Sequence, residues 1–142
     1  MDKPIIDNIV ILDLDGVLIT TPPWKRDARH EDGYSDFNPI CVNKLNEILE
    51  ETGYDIVLSS TRRIWVDIDQ MNLYFENRGI LKSIISYIPL YDVVSRKEEI
   101  ELFLTEYEPN NYIIIDDDKS LSDLSEEIKS KWIQTEFLIG LK

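Results

Sequence analysis

Apolar residues run from Ile9 to Leu12 without a polar break, so NIVILDL at residues 8–14 reads as a strand buried on both faces, the pattern of a parallel sheet. Residues 20–38, punctuated by Pro22, Pro23 and Gly33, read as a loop. Pro39 stands where a first-turn proline belongs, and Ile40, Leu45, Ile48 and Leu49 recur at helical spacing until Gly53 closes the helix. A second strand follows over 55–59. A helix from about Ile64 to Arg78, ended by Gly79, leads into ILKSIISYIPL, whose isoleucines and tyrosine predict a third strand stopped by Pro89. Ser95 and Glu98 form a capping box for a helix reaching Tyr107, with Ile100, Phe103 and Leu104 as its apolar stripe. NYIIIDDD is a fourth buried strand and KWIQTEFLIGL a weaker fifth.

Strands alternating with helices predict an α/β fold: a doubly wound, Rossmann-like, mainly parallel sheet of five strands. In such sheets the ligand sits beyond the carboxyl ends of the strands. Those ends carry Asp13 and Asp15, the stretch Ser59 to Arg63, and Asp116 to Asp118. The 142 residues fit one domain over 1–142, with a loop insertion at about 19–38.

Composition, 43% hydrophobic and 30% charged, is that of an ordinary folded globule. No apolar run approaches the roughly 20 residues of a membrane helix, and the N-terminal MDKPIIDN lacks a secretion pattern, so a cytoplasmic, membrane-free location is expected. No obligate protein partner is evident. Cys41, the single cysteine, lies on the apolar face of the first helix and reads as core packing. The net charge of -13 opposes general binding to nucleic acid. Yet Lys25, Arg26, Arg29, Arg62, Arg63, Arg96 and Lys97 gather seven of the 15 basic residues into three short clusters.

Residues i and i+2 of a strand point the same way, so Asp13 and Asp15 are expected to project together, with Gly16 letting the chain turn away. Two such charges about 4 Å apart repel by roughly 4 kcal/mol at an effective dielectric near 20, which calls for a cation. If the fourth strand neighbours the first, Asp116 and Asp117 reach the same edge. The result is an oxygen-only cluster suited to Mg²⁺, and the lack of His or Cys partners argues against zinc.

DLDGV after an apolar strand, a hydroxyl closing the next strand in IVLSS, a basic residue opening the helix of SRKEEI, and IIIDDD resemble the four ordered motifs of the haloacid dehalogenase-like (HAD) phosphohydrolases. Within that superfamily CVNKLNEIL, GYDIVLSSTRR, RKEEIELFL and YIIIDDD look most like the small capless HAD domains of Swiss Army Knife RNA repair proteins, and the resemblance spans most of the chain. It implies that Asp13 is the nucleophile that becomes an aspartyl-phosphate. Asp15 would be the general acid and base, its backbone carbonyl also a metal ligand. Ser59, or Ser60 beside it, would bond a phosphoryl oxygen, and Asp116 and Asp117 would complete the Mg²⁺ site with Asp13 and Asp15. For the basic motif Lys97 fits the superfamily's usual lysine and Arg96 the register of the closer subgroup. Gly16, Ser60, Arg62 and Arg63 are the expected substrate-binding set. Where the subgroup often has Trp before the arginine that follows its serines, this chain has Arg62.

The insertion is too short for a cap domain, so the site is expected to be open, and an open site suits a terminal phosphate on a large substrate. Lys25, Arg26, Arg29 and His30 are placed to line it, and Trp24 or Tyr34 to stack on a base. The expected function is a Mg²⁺-dependent phosphomonoesterase for nucleotides or for RNA or DNA ends. The alternatives are a phosphatase for a small metabolite phosphate and a catalytically weak HAD-fold binding or regulatory module. A response-regulator receiver is disfavoured because the hydroxyl precedes the basic residue here and a late strand ends in Asp-Asp.

Overall fold

The computed structural model describes residues 6–142. The segment MDKPI, part of the stretch read above for a secretion signal, lies outside the described residues. Five strands, β1 (Asn8–Leu12), β2 (Asp55–Leu58), β3 (Ile84–Tyr87), β4 (Asn111–Asp116) and β5 (Trp132–Gln134), form one sheet in the order β3-β2-β1-β4-β5. Every neighbouring pair is parallel. The most continuous apolar strand therefore lies at the centre, with Ile11 beside Val57 on one flank and Ile114 on the other.

Alternate residues of the central strands feed two cores. Val10, Leu12, Ile56 and Leu58 face α1 (Pro39–Thr52) and α2 (Ile68–Asn77), packing with Leu45, Leu49, Met71 and Phe75. Ile9, Ile11, Val57 and Ile114 face α3 (Arg96–Tyr107), packing with Ile100 and Phe103. Helices on both faces are what unbroken apolar strands require. The fold is thus a doubly wound α/β sheet, with no cap among the described residues. Among the described residues no helix is long and apolar enough to cross a membrane.

Local signals place most boundaries. Asn38 caps α1 by accepting from the Ile40 amide at 3.0 Å, Pro39 opens it, and Gly53 closes it at φ 69°. Ser95 caps α3 by accepting from the Glu98 amide at 3.2 Å. The helix expected from Ile64 begins later: Thr61–Ile64 is a 3₁₀ turn capped by Ser60, and α2 starts at Ile68 behind a second cap, Asp67. Two capping residues seven positions apart compete for one helix start, and the buried Arg63 holds the intervening turn in place. A single helical turn, α4 (Glu126–Lys129), precedes β5 and was not apparent from the pattern of apolar residues.

The insertion before α1 is tied to α2 and its C-terminal cap through Asp32 and Tyr34. Arg78 grips Asp32 with two hydrogen bonds of 2.7 and 2.9 Å and holds its carboxyl far below the usual range. Tyr34 stacks on Tyr74 with ring centroids 4.2 Å apart and planes 4° from parallel.

Candidate active site

Asp13 stands one residue past β1, where its amide still donates to the Ile115 carbonyl at 3.1 Å, so the sheet itself sets its position. The side chain is buried, and its Oδ1 accepts from the Leu14 amide at 2.8 Å. The neighbouring strand β4 ends at Asp116, with Asp117 next in the chain. One carboxylate oxygen from each of Asp13, Asp116 and Asp117 lies within 4.8 Å of the others.

The cation demanded by this cluster is Arg96, the first residue of α3. Its Nη2 lies 3.8 Å from Asp13 Oδ1, its Nε 3.3 Å from Asp116 Oδ2, and its Nη1 donates to the Ser59 carbonyl. Lys97 does not join it: one step along a helix turns the side chain by about 100°, and its amine pairs instead with Glu101 at 3.3 Å. Of the two candidates for the basic motif, only Arg96 faces the acidic edge.

Burial, opposed by Arg96, pushes the Asp13 carboxyl above its ordinary value. Burial and the Asp13 charge raise Asp116 well above its own. Burial, with Asp13 adding to it, raises Asp117 to about 6. One arginine therefore compensates three carboxylates only partly. Asp116 Oδ2, Arg96 Nε and Ser59 Oγ are buried without a hydrogen-bond partner, so the Arg96–Asp116 approach is an attraction not aligned as a bond. Orphaned oxygens in an all-oxygen donor set fit a hard divalent cation such as Mg²⁺, which Asp13, Asp116 and Asp117 would hold.

Gly16 belongs to this geometry. At φ 82° it takes a conformation rare for other residues, and a Cβ there would lie 2.4 Å from Asp117 Oδ2. Its carbonyl accepts from Thr135 Oγ1 at 2.7 Å, while the Asp116 carbonyl accepts from Trp132 Nε1 at 3.0 Å. Sequence reasoning missed Trp132 and Thr135 because both act across the sheet edge from β5 and the residue after it, a stretch with no motif of its own.

The expectation that Asp15 projects beside Asp13 is corrected. The strand ends at Leu12, and residues 14–19 curl into a turn whose Leu14 carbonyl accepts from the amides of Val17, Leu18 and Ile19. The period of two therefore no longer applies. The Asp15 side chain lies outside the carboxylate cluster, its two oxygens each 2.9 Å from Arg62, on Nε and Nη2. Arg62 also donates to Asp27 at 3.0 Å, Tyr34 at 3.2 Å and Ser35 at 3.1 Å, which ties the insertion to the site.

The expected binding set is likewise redistributed. Arg63, buried, donates to the carbonyls of Ile88 (2.8 Å), Ser59 (2.7 Å) and Ser60 (2.9 Å) and to Glu99 Oε2 (2.7 Å). It staples β2 and the exit of β3 to α3 and presents nothing outward. Ser60 is fully buried and its hydroxyl caps the 3₁₀ turn, accepting from the Arg62 amide at 3.2 Å, whereas the Ser59 hydroxyl is unclaimed. In the insertion, Arg29 donates to its own turn at Gly33, His30 Nδ1 accepts from the Asp32 amide, and Trp24 is 76% exposed. Tyr34 has one ring face on Tyr74 and its hydroxyl on Arg62, so it is not the free stacking surface expected.

A doubly wound parallel sheet with an acidic triad at its carboxyl edge, an arginine at the start of α3 facing it and no cap among the described residues defines an HAD-like domain. Residues 9–142 match the family model described as the HAD domain in Swiss Army Knife RNA repair proteins, and the chain belongs to that family. Comparison with curated proteins gave no match.

Proposed function

We propose that this domain is a phosphomonoesterase that works through an aspartyl-phosphate on Asp13, requires Mg²⁺, and acts on nucleotides or nucleic-acid ends. The observation that carries the reading is the convergence on Asp13 of a backbone amide, the Arg96 guanidinium and two further carboxylates, with an unclaimed buried hydroxyl, Ser59, on the adjacent strand end. A carboxylate is a competent nucleophile toward phosphorus once positive charge offsets its repulsion from the substrate.

In the first step an Asp13 oxygen bonds to phosphorus as the bond to the leaving oxygen breaks, and Asp15 protonates that oxygen. Both Asp15 oxygens now rest on Arg62, so proton delivery requires Asp15 to rotate off one arm of the guanidinium. Ser59 Oγ donates to a non-bridging phosphoryl oxygen, and Arg96 balances the charge that gathers there. In the second step Asp15 takes a proton from water, which attacks phosphorus and releases Asp13. A bound Mg²⁺ would neutralise the Asp13, Asp116 and Asp117 charges and polarise the phosphoryl group.

A compact metabolite phosphate is the second reading, favoured by the engagement of Arg62, Arg63 and Lys97 in internal pairs that leave none of them as a basic track. The test is phosphate release with Mg²⁺ from 3'- and 5'-phosphorylated oligonucleotides, mononucleotides, sugar phosphates and an aryl phosphate. Asp13→Asn should abolish turnover while leaving the fold intact. Phosphatase activity surviving in that variant, or unaffected by EDTA, would falsify the mechanism; release from sugar phosphates alone would favour the second reading.

A further inference from the structure

We propose that the cleft beside Asp15 binds a single nucleoside, the leaving group itself, with Trp65 as its stacking platform, so that the terminal phosphate is recognised with one base and not along a charged backbone. This rests on the phosphatase reading above, because it takes Asp15 to face the leaving oxygen.

Whatever is bonded to the leaving oxygen must occupy the space next to Asp15. That space is a cleft of about 350 Å³ lined by Asp15, Tyr34, Thr61, Arg62, Trp65 and Val66, within the size range of small-ligand sites. Its most exposed aromatic residue is Trp65, 78% exposed, which also lines the adjoining cavity with Arg63 and Tyr87. The backbone that carries it is fixed: the Trp65 amide donates to the Arg62 carbonyl at 3.2 Å, at the end of a turn anchored by Arg62 and the buried Arg63. Tyr34, the other aromatic of the cleft, is committed to Tyr74 and Arg62. Trp65 is therefore the cleft's free aromatic face.

The polar groups of the cleft decide what the ligand is not. The Arg62 guanidinium is shared among Asp15, Asp27, Tyr34 and Ser35, so the lining offers no free cation to a second phosphate. Among the described residues the Thr61 hydroxyl, the Trp65 indole N–H and the proton of the Tyr34 hydroxyl are uncommitted. An indole used for stacking turns its N–H away from the base it stacks on, and the two hydroxyls are too little to read a base edge. Stacking accepts every base because each has a π face. The cleft thus suits a nucleoside of any base and gives an adjoining polyanion no added purchase.

The experiment measures kcat/KM with Mg²⁺ for adenosine and uridine 3'- and 5'-monophosphates, glycerol phosphate, and hexanucleotides phosphorylated at either end. It uses the wild-type protein, Trp65→Ala and Trp65→Phe, with unchanged thermal transitions as the folding control. We expect the ratio of nucleotide to glycerol phosphate kcat/KM to fall roughly tenfold or more in Trp65→Ala, mainly through KM, and to recover in Trp65→Phe. Adenosine and uridine substrates should agree within a few-fold. The hexanucleotide should gain little over the mononucleotide, with a shallow salt dependence. An unchanged ratio in Trp65→Ala, or a hexanucleotide favoured by orders of magnitude with a steep salt dependence, overturns the inference while the phosphatase reading stands. Should the wild type release phosphate from nothing, the phosphatase reading fails, and titrating the monophosphates against tryptophan fluorescence tests the cleft alone. Quenching lost in Trp65→Ala supports it, and no quenching overturns it.

Discussion

Replacing Arg63 with Ala separates a structural arginine from a binding one. The guanidinium, with its side chain 2% exposed, makes three hydrogen bonds to backbone carbonyls and one charged bond to Glu99. The loss is not fully additive, since the Ser59 carbonyl keeps Arg96, the Ser60 carbonyl keeps the Arg63 amide, and Glu99 keeps Arg96 at 3.8 Å. The Ile88 carbonyl loses its guanidinium, and a partly buried carboxylate loses its closest cation. Breaking a buried pair of this kind costs about 3 to 5 kcal/mol. For a chain of this size that lowers Tm by on the order of 10 to 20 °C. Thermal unfolding by circular dichroism reads the shift, and phosphate release well below the transition reads what remains of function. Lysine at the same position should recover only part of the stability, because a point charge cannot replace the guanidinium fork. A Tm within about 2 °C of wild type, accompanied by a raised KM for oligonucleotides, would refute the structural assignment and restore Arg63 to the binding set.

Arg96→Ala should lower phosphate release by about a hundredfold or more, whereas Lys97→Ala should change it less than about threefold; kcat for the two purified variants decides between them, and the reverse order would return the basic motif to Lys97. In EDTA the protein should lose stability as pH rises from about 4 to 7. Asp117 titrates near 6 in the fold against an ordinary 3.8, so the folded form binds its proton more tightly, and this contribution is full at low pH and gone above 6. For a half-buried carboxylate, solvent screening reduces the effect to about 1 to 2 kcal/mol. Asp117→Asn should flatten the profile and Mg²⁺ should raise Tm more at pH 7.5 than at pH 5; melting curves with no such slope would show that the cluster is not under charge strain. Gly16→Ala should cost about 1 to 3 kcal/mol and weaken Mg²⁺ binding in a calorimetric titration, because the Cβ strikes Asp117 in a backbone conformation alanine disfavours. Unaltered metal affinity would show that Asp117 has room to move.

Periodicity and end signals are properties of neighbours in the chain, and what depends on them is legible in the sequence itself. The unbroken apolar runs around Ile9, Val57 and Ile114 announced central parallel strands, Pro39 and Gly53 bracketed α1, and Ser95 marked the start of α3. Asp13, Asp116, the pair Ser59 and Ser60 and the pair Arg96 and Lys97 were nameable for the same reason: each lies at or just beyond an element end, and a doubly wound sheet gathers its strand ends at one edge. Tertiary structure alone decided how the charges pair. Which of Arg96 and Lys97 faces the cluster follows from the phase of α3 as it packs on the sheet. Asp15 turns to Arg62, 47 residues away, and Arg63 turns inward to Glu99, 36 residues away. A buried charge must find compensation wherever folding brings it, and that partner is set by three-dimensional proximity and desolvation, neither of which is written in the spacing of residues.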